Sequence, residues 1–317
     1  MISFALVCIL FSYYGWGPLV RALRLENALY FWLTVALIVA CQAIGAYRWQ
    51  LVAKVDGLSG KFREYCAFYF VGAFTNLFVP GLLGGDAART AYLGVRHKAL
   101  AKAAASVVVD RLTGLATLTW LAATASWIIG RRVFPWNIRA PIVAAGLVSL
   151  GLALLSPTLV PLVERLPARI VAIRDSSLVY LRNPLALLPA ITVSLVLQLL
   201  LIVGQFLLAV GMSMKVPFPL FLLVVPVSNV FASIPVTLNG LGLREGAYLY
   251  LFRLANPAPP DTLIALGLLW FGASSAAGLT GVLAFVVAGR FRSPSGPEAR
   301  DSRMVGPEPA SHESTRT

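Results

Sequence analysis

The chain has 317 residues, of which 58% are hydrophobic and 12% charged, with a mean hydropathy of +0.80. A soluble domain carries roughly 45–50% apolar and about 25% charged residues, because its surface must stay hydrated. The composition therefore argues against a soluble enzyme. Two histidines and three cysteines provide no metal-ligand spacing and no disulfide framework, so we expect no cofactor and no metal site.

Eight stretches of 19 to 32 residues contain no Asp, Glu, Lys or Arg. Each is long enough to cross a bilayer core about 30 Å thick as a helix, which predicts an all-α polytopic membrane bundle. Two of the stretches are interrupted by proline and glycine, and the other six predict full spans. The six lie at 2–20, 28–53, 101–130, 138–158, 184–211 and 262–289.

The first interrupted stretch, Tyr65–Gly85, predicts a broken or re-entrant helix followed by a short helix at about 86–94. Proline removes a backbone donor and glycine favours non-helical dihedrals, so Pro80 and Gly81 should break the helix. The polar or small residues around the break form a candidate substrate site. They are Asn76, Gly84, Gly85, Asp86 and Arg89.

Two chemical features distinguish this first break. Gly84 and Gly85 precede the predicted helix, and exposed N–H groups at a helix start suit an anion. Asp86 occupies an N-cap position, so it either caps its own helix or takes part in the site. Arg89 follows one turn later, and a lipid phosphate is its expected partner.

Asp110 and Arg111 place an acid and a base inside the span predicted at 101–130. Ionisable groups at membrane depth are costly and usually face a cavity or a partner. Because adjacent helical residues do not face each other, the two should pair with different groups, and Arg89 is a candidate partner for Asp110. The pattern fits a substrate site or a structural ion pair that locks two helices.

The second interrupted stretch, Val216–Leu243, predicts another broken helix, followed by a short helix at about 243–254. Its G-x-G element lacks the strand–turn–helix context of a dinucleotide site. Glu245 either titrates or neutralises Arg244. The break is predicted at Pro235, Gly240 and Gly242, with Asn239, Arg244 and Glu245 as candidate substrate contacts.

The two broken segments resemble each other at an offset of 155 residues. Pro80 precedes Arg89 by nine positions, and Pro235 precedes Arg244 by the same distance. We therefore predict a repeated unit of span, broken segment and span. The single span at 138–158 between the units would invert the second one, and inverted repeats with discontinuous helices are typical of secondary transporters. The units cover about 28–130 and 184–289, within a membrane domain at 1–290.

Basic residues are more numerous in the loops on one side of these spans, and the positive-inside rule then predicts cytoplasmic termini in a plasma-membrane protein. The net charge of +13 would mostly face anionic headgroups. Its scatter between spans argues against nucleic-acid binding. Residues 291–317 are polar and rich in Pro and Ser, which predicts a disordered cytoplasmic tail.

Three ordered motifs resemble the transmembrane region of lysylphosphatidylglycerol synthases, which also occurs as stand-alone flippase-like proteins. They lie at Pro80–Arg89, Asp110–Gly114 and Pro235–Glu245, and Arg48-Trp49 adds to the resemblance, which covers nearly all of 1–290. The family implies movement of aminoacylated or glycosylated lipids between leaflets. Its lysyl transferases carry a C-terminal soluble domain that is not recognised before Thr317, so we do not expect lysyl transfer.

Three functions follow from these observations, and the first is favoured: a non-enzymatic flippase for a polar or modified lipid. The second is an intramembrane transferase acting on a lipid-linked substrate, with Asp86 or Glu245 as general base. The third is a membrane scaffold for lipid-modifying enzymes. The expected partners are membrane lipids, and both a homo-oligomer and a separate lipid-modifying enzyme remain open.

Overall fold

The computed structural model describes residues 20, 27–79, 83–164, 171–233, 240, 242–255 and 258–291, and the regular structure in these residues is entirely helical. This confirms the predicted all-α class. The predicted first span at 2–20, apart from Val20, lies outside the described residues. So do Pro80, Gly81, Pro235, Asn239 and the predicted tail beyond Phe291.

The first half of the described chain contains two long helices that flank two half-length helices. The half-length pair is the predicted broken segment, because one helix ends at Thr75 and the next begins at Leu83. The second helix of the pair is longer than the predicted 86–94. The four are α1 (Leu29–Val55), α2 (Phe62–Thr75), α3 (Leu83–His97) and α4 (Leu100–Ile128).

A peripheral helix, α5, joins the two halves. Of its residues only Gly146 is buried, and that glycine lies against Ala123 and the Thr119 carbonyl of α4. Its other side exposes leucines such as Leu154, as expected for a hydrocarbon-facing helix. Two further helices follow in a region that the sequence did not predict as helical. The three are α5 (Trp136–Leu154), α6 (Val160–Glu164) and α7 (Val171–Arg182).

The second half repeats the order of the first, with a long helix, two half-length helices and a long helix. Here the predicted final span at 262–289 is divided at Thr280, and Gly281 approaches the Phe70 carbonyl of α2 so closely that a Cβ would not fit. The helices are α8 (Leu188–Gly211), α9 (Phe218–Ala232), α10 (Leu243–Ala255), α11 (Pro260–Leu279) and α12 (Gly281–Phe291).

The helix starts define the register of the repeat. The starts at 29, 62, 83 and 100 correspond to those at 188, 218, 243 and 260, which gives offsets of 156 to 160 residues. Arg89 is then the seventh residue of α3, whereas Arg244 is the second residue of α10. The predicted equivalence of these two arginines is therefore wrong, because the offset of 155 aligned the loops and not the helices.

Four segments within the described residues are long and apolar enough to span a bilayer: Leu29–Val55, Trp136–Leu154, Pro184–Gly211 and Pro260–Phe285. Helix α4 has 29 residues, or about 43 Å at 1.5 Å per residue, so its length also suffices. The predicted total of six full spans stays a prediction.

Helices α1 and α8 lie side by side where the two halves meet. Of the half-length helices, α2 packs against α1 and α9 against α8, whereas α3 packs against α2 and α4, and α10 packs against α9 and α11. One buried cluster in the first half includes Trp49, Tyr65 and Phe68, and a second, in the other half, includes Phe221 and Phe252. Between the clusters, the described residues hold a buried polar region, and this region contains most of the predicted site.

Candidate functional site

Asp110 lies in α4, is only 1% exposed, and is bound by two arginines from other helices. Arg48 Nε donates to Oδ1 at 2.8 Å, and Arg89 Nη1 donates to Oδ2 at 3.2 Å. The predicted pairing of Arg89 with Asp110 is confirmed. A buried carboxylate is tolerable only when it is paired and hydrogen-bonded, and Asp110 meets both conditions.

Asp86 extends this arrangement toward the surface of the bundle. Arg89 Nη2 donates to Oδ1 at 2.5 Å, while Arg111 donates from Nη2 to Oδ1 at 2.9 Å and from Nε to Oδ2 at 2.8 Å. Asp110 and Arg111 therefore pair with different groups, as predicted. The alternating series, named here the arginine–aspartate network, runs Arg48, Asp110, Arg89, Asp86, Arg111.

Arg89 is the central member of the network, and its guanidinium is also enclosed by aromatic rings. Its Cζ lies 5.2 Å from the Trp49 ring centroid and 4.8 Å from that of Tyr69, distances at which cation–π attraction applies. Arg89 is buried, both of its terminal guanidinium nitrogens donate to aspartates, and two aromatic rings lie beside it. The expectation that it contacts a lipid phosphate is therefore not supported by its surroundings.

The network also joins the two halves of the protein. Arg48 Nη1 donates to Ser194 Oγ of α8 at 3.1 Å. Gly114 of α4 makes room for this arginine, since a Cβ there would lie 3.0 Å from Arg48 Nη1. Trp49, the next residue of α1, donates its indole N–H to Ser106 Oγ at 3.1 Å. The Arg48-Trp49 pair thus connects α1 to both α4 and α8.

The start of α3 is capped by Asn76 and not by Asp86. Helix α3 begins at Leu83, which places Asp86 inside its first turn, and the Gly85 N–H donates to Asn76 Oδ1 at 2.7 Å. Gly85 also lies against the Gly72 carbonyl so closely that a Cβ would collide with it. The interpretation of Asp86 as an N-cap is wrong, and the Gly85 N–H that was expected to receive an anion is occupied.

Two adjoining cavities lie beside the network. The first, of about 210 Å³, is bordered by Arg48, Arg89, Asp110, Arg111 and Tyr69, and we call it the network cavity. The second, of about 300 Å³, reaches Arg244 on the other side, and we call it the Arg244 cavity. Both are lined by Gln42, Ala73 and Asn76. A polar region therefore runs from the network of the first half to the second break.

Arg244 differs from every arginine of the network. It is 6% exposed, yet its Nε and Nη1 have no hydrogen-bond partner among the described residues. Glu245, its neighbour, accepts the Gly242 N–H at Oε2 at 2.5 Å, while Oε1 has no partner there and points at Gly267 of α11. No ion pair within 4.0 Å joins Arg244 to a carboxylate in the described part of the chain.

The second break has the backbone that its glycines predict. Gly240 has φ +78° and Gly242 has φ +91°, in the left-handed region that glycine adopts without strain. At Gly240 a Cβ would also collide with Ala232. Residues 234–239 and 241 are outside the described part of the chain, so the contacts of Asn239 stay untested.

The structure gathers most of the predicted site residues but divides them into two kinds. Asp86, Arg89, Asp110 and Arg111 satisfy one another, whereas Asn76 and Arg244 line the Arg244 cavity. Gly84 and Gly85 shape the start of α3. Glu245 is not among the residues that line the Arg244 cavity, and its side chain points toward Gly267 of α11. The sequence contains no feature that would have predicted this orientation of Glu245.

Sequence reasoning missed four polar residues of this region. Arg48 lies inside the span predicted at 28–53 and entered only through the family resemblance, without a partner or a role, whereas α1 buries it. Tyr69, Gln42 and Gln198 lie in uncharged stretches, where an isolated polar residue is easily overlooked. Glutamine inside a predicted span is itself a costly feature, and it is the signal that could have indicated a polar cavity.

Three comparisons with known proteins bear on this arrangement. The family model described as the lysylphosphatidylglycerol synthase TM region matches residues 1–281. Over 114 residues the chain is 28% identical to a UPF0104 membrane protein of Methanocaldococcus jannaschii, covering 35% of this chain and 34% of that relative. The aligned part thus spans about a third of the curated relative. No solved structure matches.

Proposed function

This chain belongs to the lysylphosphatidylglycerol synthase transmembrane-region family, and we propose that it moves a polar or modified lipid between the leaflets of the plasma membrane. The chain is a multi-pass integral membrane protein, as the family match and its apolar helices show. The observation that carries the proposal is the polar region between two helix breaks. Backbone breaks at membrane depth are tolerated where they border protein or a wet cavity.

The surroundings of α9 support a path that treats the two parts of a lipid differently. On one side of its C-terminal end, Asn229 and Ser233 line the Arg244 cavity. On the other side, Val230 and Phe231 line an apolar groove of about 390 Å³ between α4, α5, α9 and α10. A headgroup can occupy the polar side while an acyl chain lies in the groove, so the tails need not leave an apolar environment.

The arginine–aspartate network has a supporting role in this proposal. Its charges pair with one another and so fix α1, α3 and α4 around the cavities. Arg244 is the cation that remains available to a lipid phosphate, for which charge-assisted hydrogen bonds are the expected interaction. We further propose that both termini face the cytoplasm and that no covalent change is made to the lipid.

The test is a leaflet-selective assay with purified protein in phosphatidylcholine vesicles. A trace of phosphatidylglycerol labelled on its acyl chain is added, and dithionite bleaches the label of the outer leaflet. The proposal predicts that inner-leaflet label is bleached faster than in protein-free vesicles, with an unchanged lipid mass. Equal rates with and without protein contradict the proposal, and a mass shift of the lipid supports the transferase instead.

A matched pair of variants ties the movement to the cavity. Arg244→Gln should slow the transfer, because it removes the unpaired cation. Arg182→Gln removes an exposed arginine at the end of α7. In the wild type, Arg182 Nη2 lies 2.7 Å from Glu164 Oε1, which is also exposed. That control should transfer lipid at the wild-type rate, since exposed ion pairs contribute little.

A further inference from the structure

The headgroup class can be inferred from the charges that line the two cavities, provided that the proposed lipid transfer is correct. We propose that the Arg244 cavity selects an anionic phospholipid whose headgroup is an uncharged polyol or sugar, and that it disfavours headgroups carrying an ammonium group. The inference depends on which charges are free and which are already paired.

Arg244 supplies the anion selectivity. More than nine-tenths of it is buried, and two of its guanidinium nitrogens have no hydrogen-bond partner among the described residues. It also borders a cavity of about 300 Å³. An unpaired buried cation is unfavourable, and a phosphodiester that enters the cavity would provide the missing negative charge and acceptor oxygens.

Among the described residues, the other polar side chains that line this cavity are uncharged. Gln42 Oε1 has no hydrogen-bond partner in the described part of the chain, and it faces the same space as the amides and hydroxyls of its neighbours. Amides and hydroxyls both donate and accept hydrogen bonds, which suits the hydroxyls of a polyol or sugar. The uncharged polar residues are Gln42, Asn76, Gln198, Asn229, Ser233 and Ser274.

A carboxylate is the strongest partner for an ammonium headgroup, and neither aspartate of the network is available to provide one. Both oxygens of Asp110 accept hydrogen bonds from Arg48 and Arg89. Both oxygens of Asp86 accept from Arg89 and Arg111. The predicted role of these aspartates toward a cationic headgroup is therefore not supported, because arginines already occupy their oxygens.

The net charge points in the same direction. The arginine–aspartate network has three arginines and two aspartates, which leaves one positive charge in excess. Glu245 is the carboxylate next to Arg244, but it is not among the residues that line the cavity, and its Oε1 points at Gly267. A cation on a headgroup would therefore be repelled by Arg244 and by the excess positive charge of the arginine–aspartate network.

The experiment compares three acyl-chain-labelled lipids in the same phosphatidylcholine vesicles: phosphatidylglycerol, lysylphosphatidylglycerol and phosphatidylcholine. We expect phosphatidylglycerol to be transferred roughly tenfold faster than the lysylated lipid. A factor of this size corresponds to one charged hydrogen bond that the lysyl ammonium group cannot make in the cavity. Arg244→Gln should abolish this preference, Arg244→Lys should retain part of it, and Arg182→Gln should leave it unchanged.

A binding measurement in detergent separates the possible failures. Short-chain phosphatidylglycerol should raise the unfolding temperature of the wild type but not of Arg244→Gln, and the lysylated lipid should raise neither. Equal or faster transfer of the lysylated lipid would overturn the headgroup class while leaving lipid transfer intact. If no lipid moves but the Arg244-dependent shift remains, the site is supported and the transfer is not. If neither occurs, both proposals fail.

Discussion

The two helix breaks have similar sequences, each with glycines and a nearby arginine, but their arginines lie in different surroundings. Arg89 of the first half contacts two aspartates and two aromatic rings. Arg244 of the second half borders a cavity with two nitrogens unpartnered among the described residues. Similar break sequences therefore do not give their arginines the same role: Arg89 holds helices together, whereas Arg244 is the arginine that we propose binds a ligand.

The largest effect on stability should come from Asp110→Asn. The change leaves Arg48 and Arg89 without the carboxylate they share, and breaking a buried ion pair in this way costs about 3–5 kcal/mol. Thermal unfolding in detergent, followed by size-exclusion chromatography, measures the loss. Asp175→Asn, which removes an exposed carboxylate from α7, is the matched control. An unfolding temperature equal to that of the wild type would show that the network is not structural.

A smaller effect is expected where the two half-length helices of the first break touch. In Gly85→Ala the new methyl group meets the Gly72 carbonyl and lies 2.5 Å from Asn76 Nδ2, so α2 and α3 must separate. Such overpacking typically costs about 1–3 kcal/mol. The readout is again the unfolding temperature.

The corresponding control lies in α10, the helix that follows the second break. Nothing lies within 4 Å of a Cβ placed at Gly246 of α10, so Gly246→Ala should be neutral or stabilising by up to about 1 kcal/mol through helix propensity. Equal losses at Gly85 and Gly246 would contradict the close packing assigned to the first break.

The smallest effect should follow from removing the cap of α3. Asn76→Ala takes away the oxygen that accepts the Gly85 N–H, and caps of this kind contribute about 1 kcal/mol. Asn76→Asp keeps an acceptor and should retain most of the stability. If alanine and aspartate lower the unfolding temperature equally, the side chain does not cap the helix.

The sequence predicted the features that depend on local chemistry. Proline and glycine located both breaks, and the adjacency of Asp110 and Arg111 predicted separate partners for the two. It did not predict the start of α3 at Leu83, because the first turn is held by Asn76 and Gly72 of the preceding helix segment and not by the adjoining Asp86. Nor could it predict that Arg48 is buried, because its partners Asp110 and Ser194 lie on other helices far along the chain.

The register of the repeat was also wrong, because it was taken from loop residues and not from the helix starts. Aligning Pro80 with Pro235 made Arg89 and Arg244 equivalent, although the helices that carry them begin at different distances from those prolines. Only the helix starts reveal the larger offset. Arg89 pairs with Asp86 inside its own motif, but its second carboxylate, Asp110, lies outside the motif and could not be read from it.

The most direct test compares the stability of Arg89→Gln and Arg244→Gln in one detergent. We expect Arg89→Gln to be destabilised by about 3–5 kcal/mol, because it leaves Asp110 and Asp86 short of a partner. Arg244→Gln should stay within about 1 kcal/mol of the wild type, because two of its nitrogens lose no hydrogen bond. Equal destabilisation of the two variants, or a larger loss at Arg244, would contradict this expectation.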